Sequence, residues 1–163
     1  MDIKFTIEGN PVPYLRMTQG QIKLLRIPYA KLTPAGRKKR DVIERYMKWK
    51  EHVFLSLCFQ QFPDGDARVF LRDRVPQEPK EKLYMDVMIY FSNGKHGDPD
   101  NVWKGIADSL FKNDNKVAGS FDFGYDKENP RCEVRIWFFT ACFYKVVPSP
   151  IYDRGGKDVK QKD

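Results

Sequence analysis

The chain has 163 residues, of which 41% are hydrophobic and 14% aromatic. That is enough for one domain with its own core, and it excludes a disordered polymer. A formal net charge of +7 points to an anionic partner, nucleic acid first among them, although net charge informs on non-specific binding and not on fold. Cys58, Cys132 and Cys142 are far apart and odd in number, which argues against a disulfide framework or a zinc site. No stretch reaches the roughly 18 apolar residues of a membrane span, and the first residues lack a signal-peptide run. The expectation is a soluble, intracellular protein with no membrane partner.

Ile3, Phe5 and Ile7 alternate with polar residues and predict a half-buried strand. Gly9-Asn10-Pro11-Val12-Pro13 breaks it into an extended turn. Between Tyr14 and Lys31, Leu24, Leu25 and Ile27 allow a short strand. Thr33-Pro34 is a helix start, threonine capping and proline at the first helical position. The helix is expected to run to about Phe59, with Ile43, Tyr46, Met47, Val53, Phe54 and Leu57 inward. Its other face is basic, with Arg37, Lys38, Lys39 and Arg40 at its start.

The segment 63–82 reads as a long loop. Leu83, Met85, Val87, Ile89 and Phe91 give the clearest strand in the chain. Asp98-Pro99 opens a second helix whose apolar side is Val102, Trp103, Ile106, Ala107 and Leu110. A strand over Lys116–Asp122, a turn over Asp126–Pro130, and a strand carrying Cys132, Val134, Ile136 and Phe138 complete the pattern. Residues 1–147 form the expected domain, and 148–163 a flexible tail. Strands and helices mix without a regular βαβ rhythm. The expected class is therefore α+β, a single mixed sheet with two main helices packed against it.

The chemistry concentrates at Asp98 and Asp100, two residues apart at a loop-to-helix boundary where both carboxylates can converge. Phosphodiester hydrolysis needs an activated water and a screened phosphate, which a divalent metal held by carboxylate oxygens supplies. The helix N-terminus also favours anions. Lys104 shares a face with Asp100 and can stabilise developing charge. Asp114 follows the helix, and a return of the chain can bring it near the first pair. Each residue also has a plainer reading. Asp98 is an ordinary cap, Asp100 and Lys104 a surface i,i+4 pair, Asp114 part of a polar turn. Asp108 is a further ligand or a solvated residue, and His96 a base or a bystander.

These residues resemble the RusA family of Holliday junction resolvases. The family pattern is D-x-D-N, a lysine in the following helix, D-[AS]-L, then an N-D or D-D pair before a strand. Here it reads Asp98-Pro99-Asp100-Asn101, Lys104, Asp108-Ser109-Leu110 and Asn113-Asp114. A second match is the strand followed by a G-x-P-x-P segment and an arginine, here Gly9 to Pro13 and Arg16. The resemblance spans roughly Ile3 to Phe138. It implies a homodimer that binds four-way junction DNA and cuts opposing strands symmetrically with Mg²⁺ or Mn²⁺. It also implies a cytoplasmic setting of prokaryotic or phage origin. The catalytic acids and metal ligands map onto Asp98, Asp100 and Asp114, and the catalytic lysine onto Lys104. Arg16, Arg37, Lys38, Lys39 and Arg40 are the expected nucleic-acid contacts. The pair is often Asp-Asp in the family; here its first member is Asn113, and the second acid is kept. The remaining alternatives are a non-catalytic branched-DNA-binding protein and a nuclease acting on forks or flaps.

Overall fold

The sheet is built on three long strands whose side chains alternate between a buried and a wetter face. The computed structural model describes residues 2–59 and 75–138. Strand β1 covers Asp2–Glu8, β2 Leu83–Phe91, β3 Val117–Ala118, β4 Phe121–Tyr125 and β5 Arg131–Phe138. The order is β1-β5-β2, with β3 and β4 in line along the far edge of β2. β5 is antiparallel to both of its neighbours, whereas β3 and β4 run parallel to β2. Parallel pairing requires a crossover, and the helix Pro99–Leu110 supplies it. The sheet is mixed, and the fold is α+β.

One face of the sheet builds the core. Ile3, Phe5 and Ile7 of β1, Cys132, Val134 and Ile136 of β5, and the odd residues of β2 are all buried there. Two of the three helices cover this face. α1 spans Gln19–Arg26, α2 Pro34–Cys58 and α3 Pro99–Leu110. Tyr46, Trp49, Val53 and Leu57 of α2, with Val102, Ile106, Ala107 and Leu110 of α3, join one cluster with the sheet. The outer face is half-exposed. There Tyr84 stacks on Trp137 at 5.7 Å, and Arg131 lies 4.0 Å over the Tyr90 ring.

Several expectations need correction. The stretch expected as a short strand around Leu24 is helix α1. Thr18 and Gln21 form a reciprocal capping box there, a signal present in the sequence as T-x-x-Q. Within α2, Met47 is 46% exposed and Trp49 takes its place in the core at 5%, because a 3.6-residue period favours 46, 49 and 53 over 47.

The strand expected over Lys116–Asp122 is split into β3 and β4. At the break, a Cβ on Gly119 would fall 1.9 Å from the Met85 carbonyl oxygen, so only glycine passes. Asp86 Oδ1 accepts hydrogen bonds from the Ser120 amide and hydroxyl at 2.9 and 2.8 Å and holds the interruption. Residues 75–82 are irregular, as expected of the loop, although Val75 is buried. The rest of that loop, the boundary at 147 and the tail 148–163 lie outside the described residues. Among the described residues no helix is long and apolar enough to cross a membrane.

Candidate functional site

The first turn of α3 is shaped by Asp98 and Pro99. Asp98 is the N-cap, and its side chain accepts a hydrogen bond from the Asp100 amide at 3.1 Å. Pro99, with no amide to satisfy, occupies the first helical position. Asp100 lies in the first turn, where the helix dipole favours a negative charge. Its Oδ2 accepts from Lys104 Nζ at 2.5 Å, and both side chains remain partly exposed, at 42% and 49%. The hydrogen bond from Lys104 to Asp100, and then the attraction between their charges, raises the lysine pKa above its ordinary value. Lys104 is therefore a fixed cation at physiological pH.

The acid-bearing turn is braced from two sides. The proline segment near the N-terminus packs on one side. A Cβ on Gly97 would lie 2.7 Å from Pro13 Cγ, and one on Gly105 would lie 3.3 Å from the Tyr14 amide nitrogen. Both glycines thus allow close approach of that segment to α3. The Tyr14 amide donates to the Asn101 carbonyl at 2.7 Å and fixes the register. On the other side, His96 stacks on Phe91 with ring centroids 3.9 Å apart. Its Nδ1 lies 2.7 Å from the Gly97 carbonyl, which can only accept, so Nδ1 carries the proton. In the neutral ring Nε2 then accepts from the Tyr125 hydroxyl, 3.0 Å away. Both nitrogens are engaged, which makes His96 a brace of this turn and not a free base.

The third expected acid does not join the pair. Asp114 sits beyond the opposite end of α3, a helix of 12 residues, or about 18 Å at the usual rise per residue. Its carbonyl accepts from the Val117 amide at 2.7 Å, and the Asn113 side chain accepts from the Asn115 amide at 3.1 Å. This is turn chemistry. Because α3 runs back along β2, its two flanking loops lie at opposite ends of that strand. Among the described residues no three of His, Cys, Asp and Glu are grouped to hold a metal ion. Asp98 and Asp100 therefore do not fit an all-protein cage. They do fit Mg²⁺, which retains waters and binds through one or two carboxylates plus substrate phosphates.

The expected nucleic-acid contacts divide into two sets. Arg40 donates to the Ile27 carbonyl at 2.6 Å and pairs with Glu44 at 2.6 Å. Arg37 donates to the Ala30 carbonyl at 3.2 Å, and both guanidinium groups lie over the Tyr29 ring. These two arginines tie the α1–α2 connection together. Lys38, Lys39 and Arg16 are exposed and available to an anion. Asp108 is committed elsewhere, its Oδ2 accepting from the Tyr46 hydroxyl at 2.9 Å and from Lys50 at 2.6 Å. Sequence spacing could not reveal this cluster, since its members come from different helices. No protein-family model and no curated protein matches the chain.

Proposed function

We propose that this chain is a RusA-like, metal-dependent endodeoxyribonuclease that resolves four-way DNA junctions by paired symmetric incisions, acting as a cytoplasmic homodimer. The observation that carries the reading is the docking of the proline segment on the first turn of α3. Two sequence features some 85 residues apart, each matching the family pattern, meet through the Gly97–Pro13, Gly105–Tyr14 and Tyr14–Asn101 contacts. Two at least partly exposed carboxylates stand on the braced turn, with the Lys104 ammonium one turn further along α3 paired to Asp100.

Asp98 and Asp100 are the residues that would hold Mg²⁺ or Mn²⁺. When bound, the ion supplies an activated water and screens the phosphate. Lys104, held cationic by Asp100, stabilises negative charge on the phosphoryl oxygens. His96 and the proline segment keep the turn rigid, and such positioning matters since small displacements of reacting groups cost large factors in rate. Lys38 and Lys39 contribute phosphate contacts that carry affinity but no sequence information.

The test is cleavage of a mobile four-way junction, a fork, a flap and a linear duplex, each with Mg²⁺ or EDTA. Symmetric paired nicks confined to the junction and dependent on Mg²⁺ are expected. Asp100→Asn should abolish cutting while junction binding persists or strengthens. Binding without metal-dependent cutting would overturn the enzymatic reading, and preferred cutting of forks or flaps would overturn the substrate assignment.

A further inference from the structure

A second group of charged side chains gathers where residues 14–17 meet α2 and the C-terminal half of α3. They border a cleft of about 340 Å³ lined by Tyr14, Arg16, Met17, Tyr46, Lys50 and Asp108. Lys50 is half-buried, its side chain 31% exposed, and its ammonium is held against α3 by the Asp108 carboxylate. The Tyr46 hydroxyl donates to the same oxygen. Burial, followed by the hydrogen bond to Asp108, pushes the Tyr46 pKa far up, so the phenol stays neutral. Arg16 is exposed at the rim. Its segment is fixed by the Tyr14–Asn101 bond and by the edge contact of Tyr14 with Tyr46 at 6.0 Å.

Two cations against one carboxylate leave the cleft with a single net positive charge. The carboxylate is already engaged by two donors, so its repulsion of an incoming anion is muted. Lys50 is preorganised, which lowers the side-chain ordering cost of binding. The cleft lies beside the acid-bearing turn along α3, within reach of the same anionic polymer. Asp108 follows Asp100 by eight residues, about 12 Å along the helix axis, and Lys104 lies midway. Phosphates recur along one strand with each nucleotide, about 3.4 Å of duplex axis apart, so a second backbone phosphate of the same strand lies within reach at this separation.

We propose that this cleft is a second phosphate site, which takes a backbone phosphate of the bound DNA near the one at Asp100 and Lys104 on the same strand. Arg16 and Lys50 are its cations. Tyr46 and Asp108 are positioning residues that hold Lys50. The inference rests on the nucleic-acid reading above and adds a site to it.

The test is the salt dependence of junction binding by the full-length chain, measured in EDTA to prevent cutting. Wild type is compared with Arg16→Ala, Lys50→Gln and Lys4→Ala, the last on the outer face of the sheet. Circular dichroism melts check that each variant folds, and Arg16, being exposed, provides a variant that leaves the core intact. Arg16→Ala and Lys50→Gln should each reduce the slope of log affinity against log salt by about 0.9, the value for one lost phosphate contact on duplex DNA. Lys4→Ala should leave the slope unchanged. A normal slope in either cleft variant, or an equal loss in Lys4→Ala, overturns the site while the nucleic-acid reading stands. Absence of salt-dependent binding by the wild type overturns both.

Discussion

Gly97→Ala probes the joint between the proline segment and the acid-bearing turn. The new methyl carbon would stand 2.7 Å from Pro13 Cγ and 3.0 Å from Pro13 Cβ. The nearer contact is about 0.8 Å inside the ~3.5 Å at which carbon atoms meet favourably. A proline ring cannot swing aside as a long side chain would, so the segment must lift. Such overpacking costs about 1–3 kcal/mol. The substitution also stiffens the unfolded chain, which offsets about 0.4–1 kcal/mol. The steric effect wins, and the net loss is about 1–2 kcal/mol by these two magnitudes. For a chain of this length, that lowers Tm by roughly 2–8 °C. A circular dichroism melt reads the shift. A double-mutant cycle with Pro13→Gly isolates its cause, since removing the ring relieves the clash and the pair should be less destabilised than the sum by about 1 kcal/mol. Cleavage measured well below Tm should also fall at least tenfold, because the carboxylates ride on the displaced turn. A Tm at or above wild type, or a cycle without coupling, would refute the close-packed joint.

Arg40→Ala removes the bond to the Ile27 carbonyl and the pair with Glu44, and should cost about 1–2 kcal/mol. It should weaken DNA binding less than Lys38→Ala/Lys39→Ala does, a contrast read by paired thermal melts and gel-shift titrations. Gly119→Ala would place a carbon 1.9 Å from the Met85 carbonyl oxygen, and the melt should show a loss of about 3 kcal/mol or more. Asp126 has its pKa lowered by the hydrogen bond from the Asn129 amide and then by that from Arg131. Its stabilising contribution is therefore present above the unfolded carboxylate value of about 3.9 and is lost as pH falls through the lower folded value. Asp126→Asn should flatten the decline of stability below pH 4 in acid titrations followed by fluorescence, and an unchanged decline would remove that carboxylate from the acid response.

Local pattern was enough to define β1, β2, α2, α3 and β5, because alternation and the 3.6-residue period record directly which side of an element meets the core. Proline and threonine or aspartate marked both long helix starts, since caps satisfy amides within a few residues of themselves. The Asp98–Asp100–Lys104 turn was readable for the same reason. Tertiary structure decided everything that depends on where an element points after it ends. It sent Asp114 to the far end of α3, because the crossover helix must run antiparallel to β2. It turned Arg37 and Arg40 onto the carbonyls of the α1–α2 connection and left Lys38 and Lys39 exposed. It split the edge strand at Gly119, where the chain passes too close to Met85 for any side chain. Asp108 was ambiguous in the sequence, because Tyr46 and Lys50 lie about 60 residues away and only packing brings α2 against α3.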